Sequence, residues 1–392
     1  MAAILSQGPI FLLSLVFMLG VVVIIHELGH YIAGRVFGAA VESFSVGFGR
    51  PIYQRVDKRG TRWRINWIPL GGFVKFVGES QLPGDVGKLE SGLVGKPYYQ
   101  VGVGARSIVS VAGPLANFVL AVGLFALIFM FNGVPDKNNP DNRVTLASVQ
   151  ESSPAEVAGL IAGDVLVSIK GRPIYTATDA KLAVMFATGE ELPITVNRSG
   201  ELHELFVTPI RVVRENDLGQ KVPQGTMGVG LVQSISFRSV NPGEAIVLGV
   251  HKTGEVFTLT TTMLGRMVTG KEPINSLSGP VAIGDAGRRL FNMTVGNENI
   301  SFWDGVQAFM WNMVSICAAV SIGIGFFNLL PFPVLDGGHL VFNAYEAVTG
   351  KMMPEKVQEV ALMAGLCLLL TMFVFITWGD ILETGLFNRS AG

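Results

Sequence analysis

Charge is what this 392-residue sequence has least of: Asp, Glu, Lys and Arg together make up 15% of it, against roughly 25% in an average soluble domain. Its 29 basic and 30 acidic side chains nearly cancel, to a net charge of -1. No basic surface is left to track phosphates, so no nucleic-acid partner is expected. Cysteine is nearly missing as well. The two present, Cys317 and Cys367, both sit in apolar runs, which excludes a disulfide scaffold. No Lys or Arg precedes Arg35, so the apolar N-terminus lacks the charged n-region of a cleaved signal peptide and is expected to be retained.

What the chain has in excess is apolar residues, 49% of the total. They gather in four stretches without charge, from the N-terminus to Ile25, Ser107 to Pro135, Gly305 to Leu335 and Val360 to Gly379. Each matches the roughly 20 residues that a helix needs to cross a bilayer. Residues 31–106 carry 11 Lys or Arg and 5 Asp or Glu, which assigns that loop to the cytoplasm. The expected architecture is a polytopic α-helical membrane protein with four transmembrane helices, an inserted α/β domain and a membrane-associated β-hairpin. In order, the pieces are a first transmembrane helix (1–35), a cytoplasmic loop (36–106), a second transmembrane helix (107–135), the inserted domain (140–235), an outer-side amphipathic segment (236–302), a third transmembrane helix (303–336) and a fourth (358–380).

The cytoplasmic loop carries a hairpin signal: Ile52–Val56 and Thr61–Ile68 flank Asp57-Lys58-Arg59-Gly60. In the inserted domain, Val144–Val149, Val165–Ile169, Leu192–Asn197 and Leu205–Thr208 read as short strands. The run Ser153-Pro154-Ala155-Glu156-Val157-Ala158-Gly159-Leu160, followed by Gly163-Asp164-Val165-Leu166 and Ile169-Lys170-Gly171, resembles the core of a bacterial PDZ domain. Such a domain takes an extended peptide or C-terminal tail on a sheet edge. The stretch from Gly225 to Gly230 is a candidate for that edge, or equally a connector with hinge glycines. Pro242 to Met267 reads as an amphipathic helix lying on the outer membrane surface or against the PDZ domain.

The chemistry concentrates in His26-Glu27-Leu28-Gly29-His30, at the inner end of the first stretch. Histidines at i and i+4 stand one above the other on a helix, so their imidazoles can converge on one metal, with Glu27 placed to deprotonate water. Ionisable groups near hydrocarbon are costly and mark function. Catalytic zinc takes three protein ligands and leaves a fourth position open. Of the remaining histidines, His203 and His251 fall in the outer segment and His339 just past the third stretch. Asp336 is the better third ligand. It follows Asn328-Leu329-Leu330-Pro331-Phe332-Pro333-Val334-Leu335 on the same side of the bilayer, where the two prolines break the helix and free backbone groups for a polar cavity.

Together, His26-Glu27-x-x-His30 and Asn328-x-x-Pro331-x-Pro333-x-Leu335-Asp336-Gly337 resemble the paired signature of the site-two protease family of intramembrane zinc metalloproteases. The resemblance is to its RseP-type bacterial branch. It extends to Ala112-Gly113-Pro114-x-x-Asn117-Phe118, Gly47-x-Gly49 and Pro69-x-Gly71-Gly72. Tandem PDZ domains occur in that branch, and this chain has room for one.

The resemblance implies that His26, His30 and Asp336 hold zinc and that Glu27 is the general base. It further implies that Asn328, Pro331, Pro333, Gly47 and Gly49 serve substrate binding, with the hairpin and a glycine-rich edge receiving substrate as an added strand. The implied activity is hydrolysis of peptide bonds within or next to transmembrane segments of single-span membrane proteins, such as anti-sigma factors or remnant signal peptides. The implied setting is the lipid bilayer of a bacterial inner membrane, with the PDZ domain periplasmic and the zinc site near the cytoplasmic face. Two other classes compete: a PDZ-containing membrane scaffold or chaperone with an inactive zinc site, and an ion or metal transporter. The retained Glu27 argues against the first, and the clustering of polar residues at one membrane face argues against the second.

Overall fold

The computed structural model describes residues 2–79, 92–136, 139, 142–185, 187–215, 221–271, 279–297 and 299–384. A long helix, α1 (Ala2–Val36), leads into strands β1 (Val41–Val56) and β2 (Arg62–Phe76) and then helix α2 (Val103–Asn132). A β-rich stretch follows, with β3 (Val134–Pro135), β4 (Arg143–Val149), α3 (Pro154–Val157), β5 (Val165–Ile169), β6 (Arg172–Pro173) and α4 (Ala177–Met185). It continues through β7 (Leu192–Arg198), β8 (Glu201–Val207), β9 (Ile210–Glu215), β10 (Lys221–Thr226), β11 (Val229–Ser234) and β12 (Phe237–Arg238). Helices α5 (Pro242–Val268), α6 (Pro280–Thr294), α7 (Phe302–Leu329), α8 (Asp336–Thr349) and α9 (Glu355–Thr384) complete the described chain. Two compact units result, one of residues 1–128 with 242–392 and one of residues 129–241.

Four helical segments among the described residues are long and apolar enough to cross a membrane: Leu12–Val36, Val103–Asn132, Phe302–Leu329 and Glu355–Gly379. They fall on the four uncharged stretches of the sequence. Between apolar helices in apolar surroundings, burial drives association weakly, and close backbone approach at small residues takes over. Gly29 of α1 is such a point: a Cβ there would overlap the Ala112 carbonyl oxygen of α2 and lie 2.8 Å from the Ala116 methyl. Gly325 of α7 lies over α2 in the same way, 3.1 Å from the Pro114 carbonyl oxygen to its ideal Cβ. Met18 and Val22 of α1 and Met313 and Cys317 of α7 fill the space between.

The helix expected over Pro242–Met267 is found as α5, and it packs within its own unit through a narrow face at Ala245, Gly249 and Thr253, leaving Ile246, Val247 and Val250 exposed. Gly249 admits the Val122 carbonyl of α2, and the Phe257 ring lies 5.8 Å from Phe118 and 5.4 Å from Phe326 of α7. The expected hairpin is also present. Tyr53 pairs with Ile65 and Val56 with Arg62, and the turn is closed by Asp57 Oδ1, which accepts from the N–H groups of Arg59 and Thr61 at 2.8 and 2.9 Å.

The hairpin is only half of this sheet. Residues 43–46 pair in parallel with 62–65 on one side and antiparallel with 72–75 on the other, so β1 and β2 each bend back to give four segments in the order 51–56, 62–66, 43–46, 72–76. Gly47, at φ +80°, makes the bend possible, since a Cβ there would overlap the Ile68 carbonyl oxygen.

In the second unit the strands run in the order β11-β4-β5-β7-β8, with β6 beside β5 and a separate β9-β10 ladder. Strand β7 alternates with period two: Leu192, Ile194 and Val196 point inward, each at 0% exposure, onto Leu146, Leu160, Leu166 and Ile169. Helix α4 opens on a reciprocal cap, in which Thr176 Oγ1 accepts from the Asp179 N–H at 3.1 Å and Asp179 Oδ2 from the Thr176 N–H at 2.8 Å. The expected strands at 144–149, 165–169 and 192–197 are β4, β5 and β7. The one expected at 205–208 is β8, which starts earlier, at Glu201; its outward side carries Leu202 and Phe206 and its inward side His203, so polarity does not alternate along it. The Gly225–Gly230 stretch spans the end of β10 and the start of β11, the terminal strand of the sheet.

Candidate metal centre

His26 and His30 lie one turn apart on α1, 7% and 9% exposed. Their Nε2 atoms approach to 3.2 Å, with the rings edge to face. His30 Nδ1 is 2.7 Å from the carbonyl oxygen of Val109 on α2. A carbonyl only accepts, so Nδ1 carries the hydrogen and the Nε2 lone pair faces the site. The room for this ring comes from a glycine. A Cβ at Gly113 would overlap His30 Nε2 and lie 2.6 Å from its Cε1.

Asp336 arrives from the other end of the chain. Helix α7 stops at Leu329, residues 330–335 turn back through bonds such as Phe332 N–H to Leu330 O (2.7 Å) and Leu335 N–H to Phe332 O (2.9 Å), and Asp336 opens α8. The third apolar helix therefore ends seven residues before Asp336, because Pro331 and Pro333 cannot continue its ladder. Gly337 and Gly338 let the turn close, since a Cβ on either would overlap carbonyls of residues 329–332. Asp336 Oδ2 lies 3.1 Å from His26 Nε2 and Oδ1 lies 3.3 Å from His30 Nε2.

These three groups could hold a cation, and the fit is testable on distance. Zinc–nitrogen and zinc–oxygen bonds of about 2.0–2.1 Å in a tetrahedron separate the ligand atoms by roughly 3.3 Å. The two histidine Nε2 atoms are 3.2 Å apart, and Asp336 reaches them with a different oxygen each, Oδ2 at 3.1 Å from His26 and Oδ1 at 3.3 Å from His30, so that one ligand atom from each residue lies within 4.8 Å of the others. Asp336 Oδ2 is buried and makes no hydrogen bond of good geometry despite its nearness to His26, as expected of an atom arranged for a cation instead of a proton. The donor set of two imidazoles and a carboxylate fits catalytic zinc.

Glu27 stands beside the cluster. Its Oε2 accepts from the backbone N–H of Val74 at 3.0 Å, which ties the carboxylate to the 72–76 segment of the sheet. Asn328, at the end of α7, places its amide nitrogen 3.4 Å from His26 Nε2. His26, His30, Asp336, Glu27 and Asn328 thus come together. Pro331 and Pro333 shape the turn that delivers Asp336, and Gly47 and Gly49 lie at the bend of β1, at φ +80° and +91°. Sequence reasoning missed the Val109 carbonyl and the Val74 N–H, which no side-chain pattern announces. It also gave no role to Gly113 or Asn117, whose signal was a glycine and an asparagine inside an otherwise apolar helix.

A family model described as Peptidase family M50 matches residues 14–372. Metalloprotease MmpA of Caulobacter vibrioides is 33% identical over 98% of both chains. A protein of Agrobacterium fabrum named as a candidate zinc metalloprotease is 36% identical over 95% of both. The PDZ domain of an SdrC-like protein of Listeria monocytogenes aligns with 25% of this chain and 94% of its own, at 19% identity and a TM-score of 0.20, too low to carry weight. With the family model and relatives of this similarity both running nearly end to end, the chain belongs to peptidase family M50.

Proposed function

We propose that this peptidase is a zinc enzyme that cuts peptide bonds within or next to the transmembrane segments of single-span membrane proteins, such as anti-sigma factors or remnant signal peptides. The observation that carries this reading is the meeting of His26, His30 and Asp336 beside Glu27, with both histidines inside the apolar segment Leu12–Val36. The charge bias of residues 31–106 supports a multi-pass protein of a bacterial inner membrane with this site near the cytoplasmic face and the β-rich module periplasmic.

His26, His30 and Asp336 would hold the metal, as the zinc named for the Agrobacterium relative requires. Bound there, zinc supplies Lewis acidity, polarising a carbonyl and acidifying water. Glu27 has Oε2 engaged by Val74, so Oε1 is the oxygen left to take a proton from attacking water and return it to the leaving amine. The Asn328 amide is a hydrogen-bond donor for a developing oxyanion. Opening a substrate helix exposes N–H and C=O groups, each costing several kcal/mol in hydrocarbon, and pairing them to a sheet edge offsets that. The 72–76 segment is the edge that reaches Glu27. In the periplasm, the outer side of β11 would take a peptide or C-terminal tail, gating access.

The test is cleavage of a single-span substrate in reconstituted vesicles, with the cut mapped by mass spectrometry. A cut inside or bordering the span supports the proposal. Cleavage confined to soluble loops sinks it.

A further inference from the structure

Asn117 of α2 is fully buried, and its amide nitrogen lies 3.2 Å from His26 Nδ1, on the side of the ring away from Asp336. Among the described residues its amide oxygen has no hydrogen-bond partner. The backbone around it is fixed. Ser321 Oγ of α7 donates to the Asn117 carbonyl at 2.9 Å, and an ideal Cβ on Gly325 would lie 3.3 Å from Asn117 Cβ. The side chain therefore has one soft motion, exchange of its oxygen and nitrogen by a half-turn about the last torsion.

The two orientations fix two tautomers. With the nitrogen toward His26, the amide donates to the Nδ1 lone pair, the ring hydrogen resides on Nε2, and that hydrogen points at Asp336. With the oxygen toward His26, Nδ1–H donates to it and the Nε2 lone pair faces His30 Nε2 and Asp336. The second orientation alone presents three lone pairs to one point. His30 already has this arrangement, supplied by the immovable Val109 carbonyl. Among the described residues, no backbone carbonyl has that role for His26.

Resting on the metal-site reading above, we propose that Asn117 is a positioning residue for His26: in the metal-loaded protein its amide oxygen accepts the Nδ1 hydrogen and thereby fixes Nε2 as the ligand. The residue acts through the histidine and touches neither substrate nor metal.

The test is zinc affinity of the purified full chain in detergent, by chelator competition at fixed pH. Asn117→Leu, which keeps the volume and removes the acceptor, should weaken zinc roughly 10- to 100-fold. Asn117→Asp, which can only accept, should stay within a few-fold of wild type. Equal affinity for Asn117→Leu and wild type, or equal losses for the Leu and Asp variants, overturns the proposal. Should Asn117→Leu fail to fold, the unmutated protein decides: zinc-loaded, 15N-histidine-labelled chain must show the His26 hydrogen on Nδ1, assigned by its loss in His26→Ala, and a hydrogen on Nε2 refutes it. Failure of the underlying reading is distinguishable, because then wild type binds no stoichiometric zinc and His26→Ala changes nothing.

Discussion

Gly113→Ala adds one methyl group in the middle of an apolar helix, where propensity alone favours alanine by about 1 kcal/mol. The structure predicts the opposite outcome for the site. The new Cβ would overlap His30 Nε2 and lie 2.6 Å from Cε1 and 2.8 Å from Cδ2, against an ordinary closest approach of about 3.4 Å. The ring has to give by about 1 Å, yet Nδ1 is bonded to Val109 at 2.7 Å, so it cannot swing away without breaking that bond. Metal ligands tolerate displacements of only about 0.2 Å. Zinc affinity should therefore fall at least about 100-fold, the upper end of what loss of an orienting partner costs, because here the ligand itself is displaced. Gly123→Ala is the control: it lies on the same helix with nothing within 4 Å of the ideal Cβ, and should leave zinc unchanged. The assay is zinc per chain after dialysis against graded chelator, with thermal melting alongside. Wild-type zinc affinity in Gly113→Ala would refute the packing argument.

Three further outcomes are expected. Asp164 is fully buried, and the Arg198 guanidinium bonded to both its oxygens at 2.7 and 2.8 Å holds its carboxyl below the usual range. That stabilisation is complete above the unfolded carboxyl range near pH 4 and is lost as pH falls through the lower native value, so amide exchange in β5 and β7 should accelerate below about pH 4 and not between 5 and 8. In a background lacking the exposed Cys367, Lys58→Cys should be labelled by an impermeant thiol reagent only from the cytoplasm and Asp179→Cys only from outside; reversed labelling would overturn the orientation. In a substrate series already trimmed on the outer side, replacing span glycines or prolines by leucine should slow cleavage, since each change strengthens the helix by up to about 1 kcal/mol for glycine and about 3 for proline; equal rates would mean that helix opening does not limit turnover.

What the sequence made legible was what a local period or a special residue type encodes. The i, i+4 histidines, the proline-broken turn before Asp336 and the uncharged stretches of about 20 residues all fall in this class. What it hid depends on long-range approach. The 72–76 segment pairs with 43–46 across some 30 residues that include Pro51, Pro69 and five glycines, which read locally as interruptions and not as the bends of one sheet. Val74 meets Glu27 through its backbone, so the residue type carries no signal. Gly113 is informative only once His30 is known to face it. The packing of α5 against α2 and α7 was likewise out of reach, because amphipathicity states that one face is buried and not against what.

The central claim separates two functions within five residues: His26 and His30 bind, with Asp336, and Glu27 moves a proton. The most direct measurement is zinc content and turnover of a model single-span substrate, made side by side on wild type, Glu27→Gln and Asp336→Asn. The expected result is about one zinc per chain in wild type and in Glu27→Gln, loss of zinc in Asp336→Asn, and turnover in wild type alone. Wild-type turnover by Glu27→Gln, or full zinc retention by Asp336→Asn, would contradict the account.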